Sequence, residues 1–348
     1  MTQQIEFNTA DSRYARQRIL GVIGREGQER LQNSRVTILG AGALGTHVSD
    51  ALARAGVGYI RLVDRDVPEL SNLQRQILFD TSDVENGVPK AAAAASRLAS
   101  VNPEIEIEPI VTDVNPTNIE KLISDVDLVI DGSDNFELRY LLNDAAVKLG
   151  KPWVYGGVIS THGMTMTIRP GTTACLRCVF PESPAPGDAP TCDTAGVLGP
   201  AVAMIAAIQS TEAIKLLTGD LEALNPSLIM IDIWELTFRQ VALGSSNPDC
   251  PACGQHRFAF LDRQAPRQTT ELCGSDSIQI VIDPPPQISL EQLAARLKDA
   301  GSVSHNAYLL RFKVDGYQLT VFPDGRAIVK GTTDPGEARS IYSRYVGM

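Results

Sequence analysis

The stretch VTILGAGALG, residues 36–45, decides the fold of this chain of 348 residues. Its apolar, largely β-branched start indicates a buried parallel strand, and the glycines after it indicate a tight turn into a helix. In such a turn Gly40 permits the change of direction, Gly42 lets the backbone approach a phosphate or sugar, and Gly45 lets the helix pack closely on the strand. The pattern predicts a doubly wound α/β fold with a nucleotide site at this turn.

An acidic residue and two cations follow the turn. Asp64 ends the second predicted strand 19 residues after Gly45, where a carboxylate accepts hydrogen bonds from ribose hydroxyls. This much fits a nicotinamide dehydrogenase as well as an ATP-dependent enzyme. Arg75 and Lys90 favour ATP, because a dinucleotide rests on a helix N-terminus whereas a triphosphate requires cationic side chains and usually Mg²⁺. Taken singly, each cation could equally be an ordinary surface charge.

A further carboxylate follows a later buried strand. The stretch DLVIDGSDN, residues 127–135, indicates a strand that runs into a polar loop. Ligands of a doubly wound sheet lie beyond the carboxyl ends of its strands, so Asp134 would face the same crevice as Gly42 and Asp64. A carboxylate near phosphates is a natural Mg²⁺ ligand. The alternative is that Asp134 caps the helix predicted at 135–149.

Four of the six cysteines form two C-x-x-C pairs, Cys175 with Cys178 and Cys250 with Cys253. Together the pairs supply four thiolates, which predicts a closed tetrahedral Zn²⁺ site. Because all four ligands come from the protein, the zinc would be structural and would join distant segments of a folded domain. A redox role for either pair is the alternative. His256, near the second pair, is not counted as a ligand.

Cys192 lies apart from these pairs, in the stretch PAPGDAPTCDTAGVLGP, residues 184–200. The Pro- and Gly-rich run before it predicts an exposed loop. A cysteine just before a helix N-terminus is where a thiolate is stabilised and reachable. Cys192 is therefore a candidate nucleophile, with an incidental loop thiol as the alternative.

The motifs resemble, in one order, those of the ThiF/MoeB/HesA family, the bacterial relatives of ubiquitin-activating enzymes. They are GAGALG, LVDRD, SNLQRQ, GVPK, GSDN, CLRC, TAGVLGP and CPAC, spread from about Arg13 to Gly254. Each motif is weak alone, but eight in register are specific. The resemblance implies an enzyme that uses ATP, Mg²⁺ and Zn²⁺ and works as a homodimer.

The resemblance also implies roles for individual residues. Asp64 would bind ribose, Asp134 would hold Mg²⁺, and Arg16 would reach across a dimer interface into the partner subunit's site. The cysteine at the position of Cys192 forms an adduct with the carrier protein in ThiF-like members and is dispensable in others. The phosphates would contact Asn72, Gln74, Arg75 and Lys90. The full ATP-binding set would be Gly40, Gly42, Ala43, Asp64, Asp66, Ser71, Asn72, Gln74, Arg75, Lys90, Asp134 and Asn135.

The activity that the resemblance implies is adenylylation of the C-terminal Gly–Gly carboxylate of a ubiquitin-like sulfur carrier protein. Pyrophosphate would be released, and a persulfide donor would convert the adenylate to a thiocarboxylate. TAGVLGP and the residues around Cys192 favour a ThiS-like carrier of thiamin synthesis over a MoaD-like carrier of molybdopterin synthesis. Two alternatives belong to the same superfamily: an ATP-dependent dehydratase acting on modified tRNA, and a non-catalytic activating-enzyme-like subunit.

Composition predicts a cytoplasmic enzyme. A net charge of −10 argues against binding to nucleic acid or to anionic membranes. No N-terminal signal is visible. The most apolar stretch, residues 199–219, carries Gln209, Glu212 and Lys215 and therefore indicates a buried helix, not a membrane span.

The chain is predicted to have four parts, which together form a Rossmann-like doubly wound, mostly parallel sheet with an antiparallel extension, plus a small C-terminal α/β domain. The parts are a helical arm (1–35), an adenylyltransferase domain with the zinc site (36–262), a polar linker (263–277) and the small domain of unknown role (278–348). MTMTIR, LIMIDI and LTFRQVAL predict the antiparallel extension, which could form a platform for the carrier protein. In the small domain, Asp315–Gly316 and Asp324–Gly325 predict hairpin turns.

Overall fold

A computed structural model describes residues 13–183, 192–263, 269–271, 277–282 and 286–347. The chain divides into two compact units, one of residues 1–84 and 89–263 and the other of residues 85–88 and 264–348.

The first unit is built on one sheet of eight strands. They are β1 (Arg35–Leu39), β2 (Tyr59–Val63), β3 (Glu106–Ile110), β4 (Leu128–Asp131), β5 (Trp153–Ile159), β6 (His162–Ile168), β7 (Ser227–Asp232) and β8 (Thr237–Ala242). The strand order is β3-β2-β1-β4-β5-β6-β7-β8. The first five strands in this order, β3-β2-β1-β4-β5, pair in parallel. The last four, β5-β6-β7-β8, pair antiparallel. This confirms the predicted parallel sheet and its antiparallel extension.

Helices connect and cover these strands. They are α1 (Ala15–Arg18), α2 (Gly24–Asn33), α3 (Ala43–Ala55), α4 (Thr81–Asn86), α5 (Lys90–Val101), α6 (Ile119–Ile123), α7 (Phe136–Leu149), α8 (Leu176–Val179), α9 (Cys192–Ala195) and α10 (Gly199–Thr218), with a 3₁₀ turn at Leu70–Asn72. Helix α3 packs against α5 and α10, and α6 packs against α7. The strand pairs bring the carboxyl ends of β1, β2 and β4 to one edge, so the loops after these strands lie side by side.

Helix α10 is long and apolar enough to cross a membrane by length and composition alone, but half of its most apolar window is buried inside the protein. It packs on β5 and β6. The buried side chain of Gln209 donates to Asp131 O over 2.9 Å. Its surroundings are those of a core helix.

The second unit has an antiparallel sheet of six strands. They are β9 (Thr269–Glu271), β10 (Ser277–Ile280), β11 (Ser302–His305), β12 (Leu310–Val314), β13 (Tyr317–Val321) and β14 (Ala327–Lys330), in the order β11-β12-β13-β14-β10-β9. Two helices, α11 (Leu290–Leu297) and α12 (Pro335–Tyr345), contribute to the same apolar core. Strand β9 lies within the segment predicted as a linker, and β11 was not predicted at all.

Candidate active site and four-cysteine centre

The glycine-rich turn between β1 and α3 lies at the carboxyl end of the parallel strands. Gly40 has φ = 97°, a conformation that other residues rarely adopt, and a Cβ atom there would lie 2.6 Å from Gly132 O. A Cβ atom at Gly45 would lie 1.9 Å from Gly40 O, so the close packing of α3 on the turn requires glycine. At Gly42 the nearest atoms would be 3.9 Å away. The turn therefore leaves room for a ligand beside Gly42, just before Ala43 begins α3.

The carboxylate of Asp64 is fixed against this turn. The backbone N–H of Ala41 donates to Oδ2 of Asp64 over 2.7 Å, and the N–H of Asp66 donates to Oδ1 over 2.7 Å. Burial raises the pKa of Asp64, while the positive charge of Lys90 lowers it. The two backbone donors orient the carboxylate at the predicted ribose position.

Lys90 is the buried cation of the site. It begins α5, it is 8% exposed, and its Nζ lies 3.4 Å from Oδ2 of Asp66. Burial lowers the pKa of the Lys90 amine, but nearby carboxylates outweigh this effect and raise the pKa. These carboxylates are, in order of decreasing effect, those of Asp66, Asp64 and Asp134. One ammonium group therefore contacts the Asp66 carboxylate directly and is also influenced by the charges of Asp64 and Asp134.

In the segment from Ser71 to Gln74, the side chains of Asn72 and Gln74 form hydrogen bonds with backbone groups. The Asn72 side-chain oxygen accepts from the N–H of Glu69 over 3.0 Å. Gln74 Nε2 donates to Val197 O over 3.4 Å. Both side chains were predicted to contact phosphates, and in this structure they brace the 3₁₀ turn and the loop before α10.

Arg75 is half-buried in the same segment. Its Nη1 donates to Ser71 O over 2.9 Å. Within the described residues no ion pair joins Arg75 to a carboxylate. The structure thus brings Arg75 to the segment beside the turn but leaves its charge directed at backbone oxygen.

The loop after β4 separates two neighbouring polar residues. Asn135 is the N-cap of α7, because its Oδ1 accepts from the N–H of Leu138 over 2.8 Å. The capping alternative for Asp134 is therefore wrong: the cap is one residue later, and the Asp134 carboxylate is exposed. The oxygen of Asn135, which was predicted to bind ATP, is engaged in the helix instead.

We expect these two neighbours to differ in their effect on stability. Asn135→Ala should lower the free energy of unfolding by about 1 kcal/mol, because it removes the N-cap. Asp134→Ala should change the free energy of unfolding by less than about 0.5 kcal/mol, as is usual for an exposed residue. Urea unfolding of both variants measures the difference. Equal destabilisation would contradict the cap.

A buried ion pair behind this loop was missed by the sequence analysis. Arg139 Nε lies 3.1 Å from Oδ2 of Asp131, and its Nη2 donates to Ser133 O over 2.8 Å. Asp131 in turn accepts from the hydroxyl of Ser133 over 2.6 Å. The pair holds the loop that presents Asp134. The sequence signal that could have revealed this ion pair is the presence of opposite charges on the two sides of GSDN, at Asp131 and Arg139, eight residues apart.

Two predicted site residues, Arg16 and Cys192, have no described contact with the residues around Lys90. Arg16 is exposed on α1. Cys192 is the first residue of α9, and residues 184–191 before it lie outside the described part of the chain. The loop that follows α9 is held to the end of β5, because Ser160 N donates to Gly196 O over 2.8 Å and Leu198 N donates to Ser160 O over 2.8 Å.

The four cysteines of the two C-x-x-C pairs come together as predicted. Sulfur–sulfur distances are 3.8 Å for Cys175–Cys178, 3.6 Å for Cys175–Cys250 and 3.4 Å for Cys178–Cys253, and all four sulfurs lie within 4.8 Å of one another. Tetrahedral zinc with Zn–S bonds of about 2.3 Å requires sulfurs about 3.8 Å apart. Burial raises the pKa of the Cys175 thiol, a cost that a bound cation would offset. The cluster fits a closed structural metal site.

Helix α7 links this cysteine centre to the active-site loop. Its first turn is capped by Asn135, and its later turns accept hydrogen bonds from the segment of the first cysteine pair and from the segment that follows the second pair. Asn143 Oδ1 accepts from the N–H of Leu176 over 2.9 Å, and Asp144 Oδ2 accepts from the N–H of Phe260 over 2.9 Å. Loss of the centre would therefore disturb the helix that presents the GSDN loop.

Comparison with known proteins agrees with this geometry. A family model described as the ThiF family matches residues 14–252. The sulfur carrier protein ThiS adenylyltransferase of Bacillus subtilis is 43% identical over 337 residues, which cover 96% of this chain and 99% of that protein. The sulfur carrier protein adenylyltransferase of Thermus thermophilus is 42% identical over 247 residues, 70% of this chain and 90% of that protein.

A solved structure shares much of this fold. The crystal structure of E. coli MccB with ATP superposes with a TM-score of 0.60 at 28% identity, over 70% of this chain and 74% of that one.

Proposed function

Because this chain belongs to the ThiF family, we propose that it is an adenylyltransferase that acts on the Gly–Gly carboxylate of a ubiquitin-like sulfur carrier protein. The carboxylate would attack the α-phosphate of ATP and release pyrophosphate. The observation that carries the proposal is a buried lysine, Lys90, that lies 3.4 Å from Asp66, while Asp64 is held against the turn that is open at Gly42. The names of the relatives support the same chemistry.

The reaction needs no general base, because a carboxylate is already ionised at neutral pH. The protein must instead hold two anions together and offset the charge that builds up on the phosphates. Lys90 would exchange its contact with Asp66 for phosphate oxygens. Arg75, whose guanidinium donates to a backbone oxygen, would supply a second cation.

Asp134 would hold the metal ion of the reaction. Its carboxylate is exposed, it is not used in the cap of α7, and it is close enough to Lys90 to raise the pKa of that amine. Carboxylate oxygen is a ligand that Mg²⁺ prefers. Bound Mg²⁺ would neutralise charge on the phosphates.

A homodimer would complete the site through Arg16. This residue lies on α1, and the turn after it exposes three apolar side chains. Ile19 is 72% exposed and Val22 is 74% exposed, with Leu20 between them. A cluster of this kind is typical of an interface. It supports the proposal that Arg16 serves the partner subunit's site.

The outer hairpin of the extended sheet would receive the carrier protein. This hairpin, formed by β7 and β8, exposes apolar side chains at its turn and on both of its strands. The exposed side chains are Met230, Trp234, Leu236, Phe238 and Val241. The Asp232 carboxylate orders the turn, because it accepts from the N–H of Trp234 over 3.0 Å. A folded domain with an apolar sheet face could dock here and thread its terminus toward the turn at Gly42.

A ThiS-like carrier is the favoured substrate, and a MoaD-like carrier comes next. The similarity to the Bacillus subtilis ThiS adenylyltransferase extends over both units of this chain. The enzyme would act in the cytoplasm. There the terminal sulfur of a persulfide donor could displace AMP from the adenylate, and a thiol would then reduce the resulting acyl disulfide to the thiocarboxylate.

ATP–pyrophosphate exchange tests the proposal directly. The protein should show exchange with a ThiS-type carrier and Mg²⁺, weaker exchange with a MoaD-type carrier, and none without a carrier. A carrier truncated by its terminal glycine is the matched control. Absence of exchange with both carriers would overturn the proposed function.

Cys192→Ser should separate adenylation from sulfur transfer. A serine hydroxyl cannot form a persulfide link, so thiocarboxylate formation should fall while exchange continues. Intact-mass measurement of the carrier reads the thiocarboxylate, and the exchange assay reads the adenylate. An unchanged thiocarboxylate yield would mark Cys192 as an incidental thiol.

A further inference from the structure

Gln76, the last residue of SNLQRQ, is not among the residues proposed to bind the nucleotide or the metal ion. Its side chain is 4% exposed, and its Oε1 is buried without a hydrogen-bond partner among the described residues. Its backbone is satisfied, because the Gln76 N–H donates to Asn72 O over 3.0 Å. Buried polar groups are nearly always paired, so an unpaired carbonyl oxygen indicates a missing partner.

The position of the Gln76 side chain shows where a partner for its Oε1 would have to bind. A Cβ atom at Gly42 would have Gln76 Nε2 and Gly132 O as its nearest neighbours, both at 3.9 Å. The Nε2 atom of the amide therefore lies beside the turn after β1, and Oε1, which is bonded to the same carbon as Nε2, is close to this turn as well. The turn is part of the proposed reaction centre.

The segment that carries Gln76 is held in place from the other side. A Cβ atom at Gly199, the first residue of α10, would lie 3.0 Å from Gln74 O and 3.9 Å from the Cβ of Arg75. The backbone of the segment thus packs directly on the start of α10. This packing fixes the backbone from which the Gln76 side chain projects.

The chemistry of the substrates decides between possible partners. A carbonyl oxygen can only accept a hydrogen bond. The phosphate end of ATP offers oxygen acceptors alone, whereas a Gly–Gly terminus offers peptide N–H donors. We propose that Oε1 of Gln76 accepts the N–H of the peptide bond between the two terminal glycines of the carrier, and so positions the carboxylate for attack. This inference rests on the proposed function.

The test replaces Gln76 by Met, which keeps the length of the side chain and removes the acceptor. In ATP–pyrophosphate exchange with a ThiS-type carrier, the carrier KM should rise about 5- to 140-fold, as expected for leaving one buried donor unpaired. The KM values for ATP and Mg²⁺ should stay the same. The melting temperature should stay the same or rise, because the variant no longer buries an unpaired polar atom. Gln292→Met, at an exposed position of α11, is the matched control.

A second measurement needs no enzyme variant. A carrier made by semisynthesis with sarcosine as its last residue has no N–H at that peptide bond. The wild-type enzyme should lose a similar factor in carrier KM with it, and Gln76→Met should lose much less, because the two changes remove the same hydrogen bond.

Each outcome has one interpretation. An unchanged carrier KM in Gln76→Met, or a rise confined to the KM of ATP or Mg²⁺, would overturn the assignment of Gln76 and leave the proposed function standing. Equal and additive losses in the variant and with the sarcosine carrier would overturn it as well. Absence of exchange in the wild-type protein would overturn both.

Discussion

Lys90→Met is expected to lower carrier-dependent ATP–pyrophosphate exchange by about 10²- to 10³-fold, the usual cost of removing one charge-stabilising group from a reaction centre. Lys90 is the buried ammonium of the site, and its Nζ lies 3.4 Å from Asp66. Without it, the carboxylates of Asp64 and Asp66 would repel the triphosphate, because the ammonium that offsets their charge would be gone. The loss should appear in kcat/KM for ATP. Lys90→Arg keeps the charge but not the compact ammonium, so its exchange activity should lie between those of the wild-type protein and Lys90→Met.

Lys151→Met is the matched control for this loss. Lys151 lies before β5, at the opposite edge of the sheet, and its Nζ donates to Val126 O over 2.7 Å. Its replacement removes one partly buried lysine from the same unit and should leave the exchange rate within about twofold, because charge effects weaken across a Debye length. If both lysine variants lose activity equally, the loss is structural. Full exchange in Lys90→Met would remove Lys90 from the mechanism.

The raised pKa of Lys90 keeps its amine charged at the pH values where the exchange reaction is measured. Its folded pKa lies above that of a free lysine, about 10.4. The favourable interaction of the ammonium with the carboxylates is therefore fully present below the unfolded pKa and is lost as the pH rises through the folded one. Exchange measured between pH 7 and 9 should show no descending limb caused by Lys90.

Parts of this architecture could be predicted from the sequence because local constraints act on few residues. Gly40 needs a positive φ, and Gly45 needs the absence of a Cβ atom, so the turn after β1 is encoded in the residues themselves. The Asp315–Gly316 turn is similar. Both residues have positive φ, 50° and 86°, as a two-residue hairpin between the paired Val314 and Tyr317 requires.

Other features depend on partners that are distant in sequence. Strand β11 consists of Ser302–His305, which has little intrinsic strand preference, and it forms by pairing with β12. Arginine is usually a surface residue, and Arg139 can be buried because Asp131 and two backbone oxygens accept its hydrogen bonds. Asp134 and Asn135 are both good N-caps, so the sequence alone could not decide which of them starts α7.

Removal of the metal from the four-cysteine centre should have the largest effect on stability. The purified protein should hold about one zinc ion per chain by elemental analysis, as four thiolates at these distances indicate. Cys250→Ser removes a ligand that lies 3.6 Å from the sulfur of Cys175, and the two residues are separated by 75 positions in the chain. A cross-link that closes a loop of this length contributes about 4 kcal/mol in the chain-entropy treatment. The variant should therefore lose its zinc and melt about 8–16 °C lower, given about 2–4 °C per kcal/mol for a unit of this size.

The position of the four-cysteine centre predicts that its loss lowers stability before it lowers exchange activity. The later turns of α7 are bonded to Leu176, next to Cys175, and to Phe260, which follows the second cysteine pair, whereas the GSDN loop precedes the first turn of the same helix. At 25 °C, Cys250→Ser should therefore keep measurable exchange, and it should lose exchange on warming before the wild-type protein does. Cys192→Ser, which changes a thiol outside the centre, should keep both its zinc and its melting temperature. A zinc-free preparation that melts with the wild-type protein would show that these four thiols do not hold the fold together.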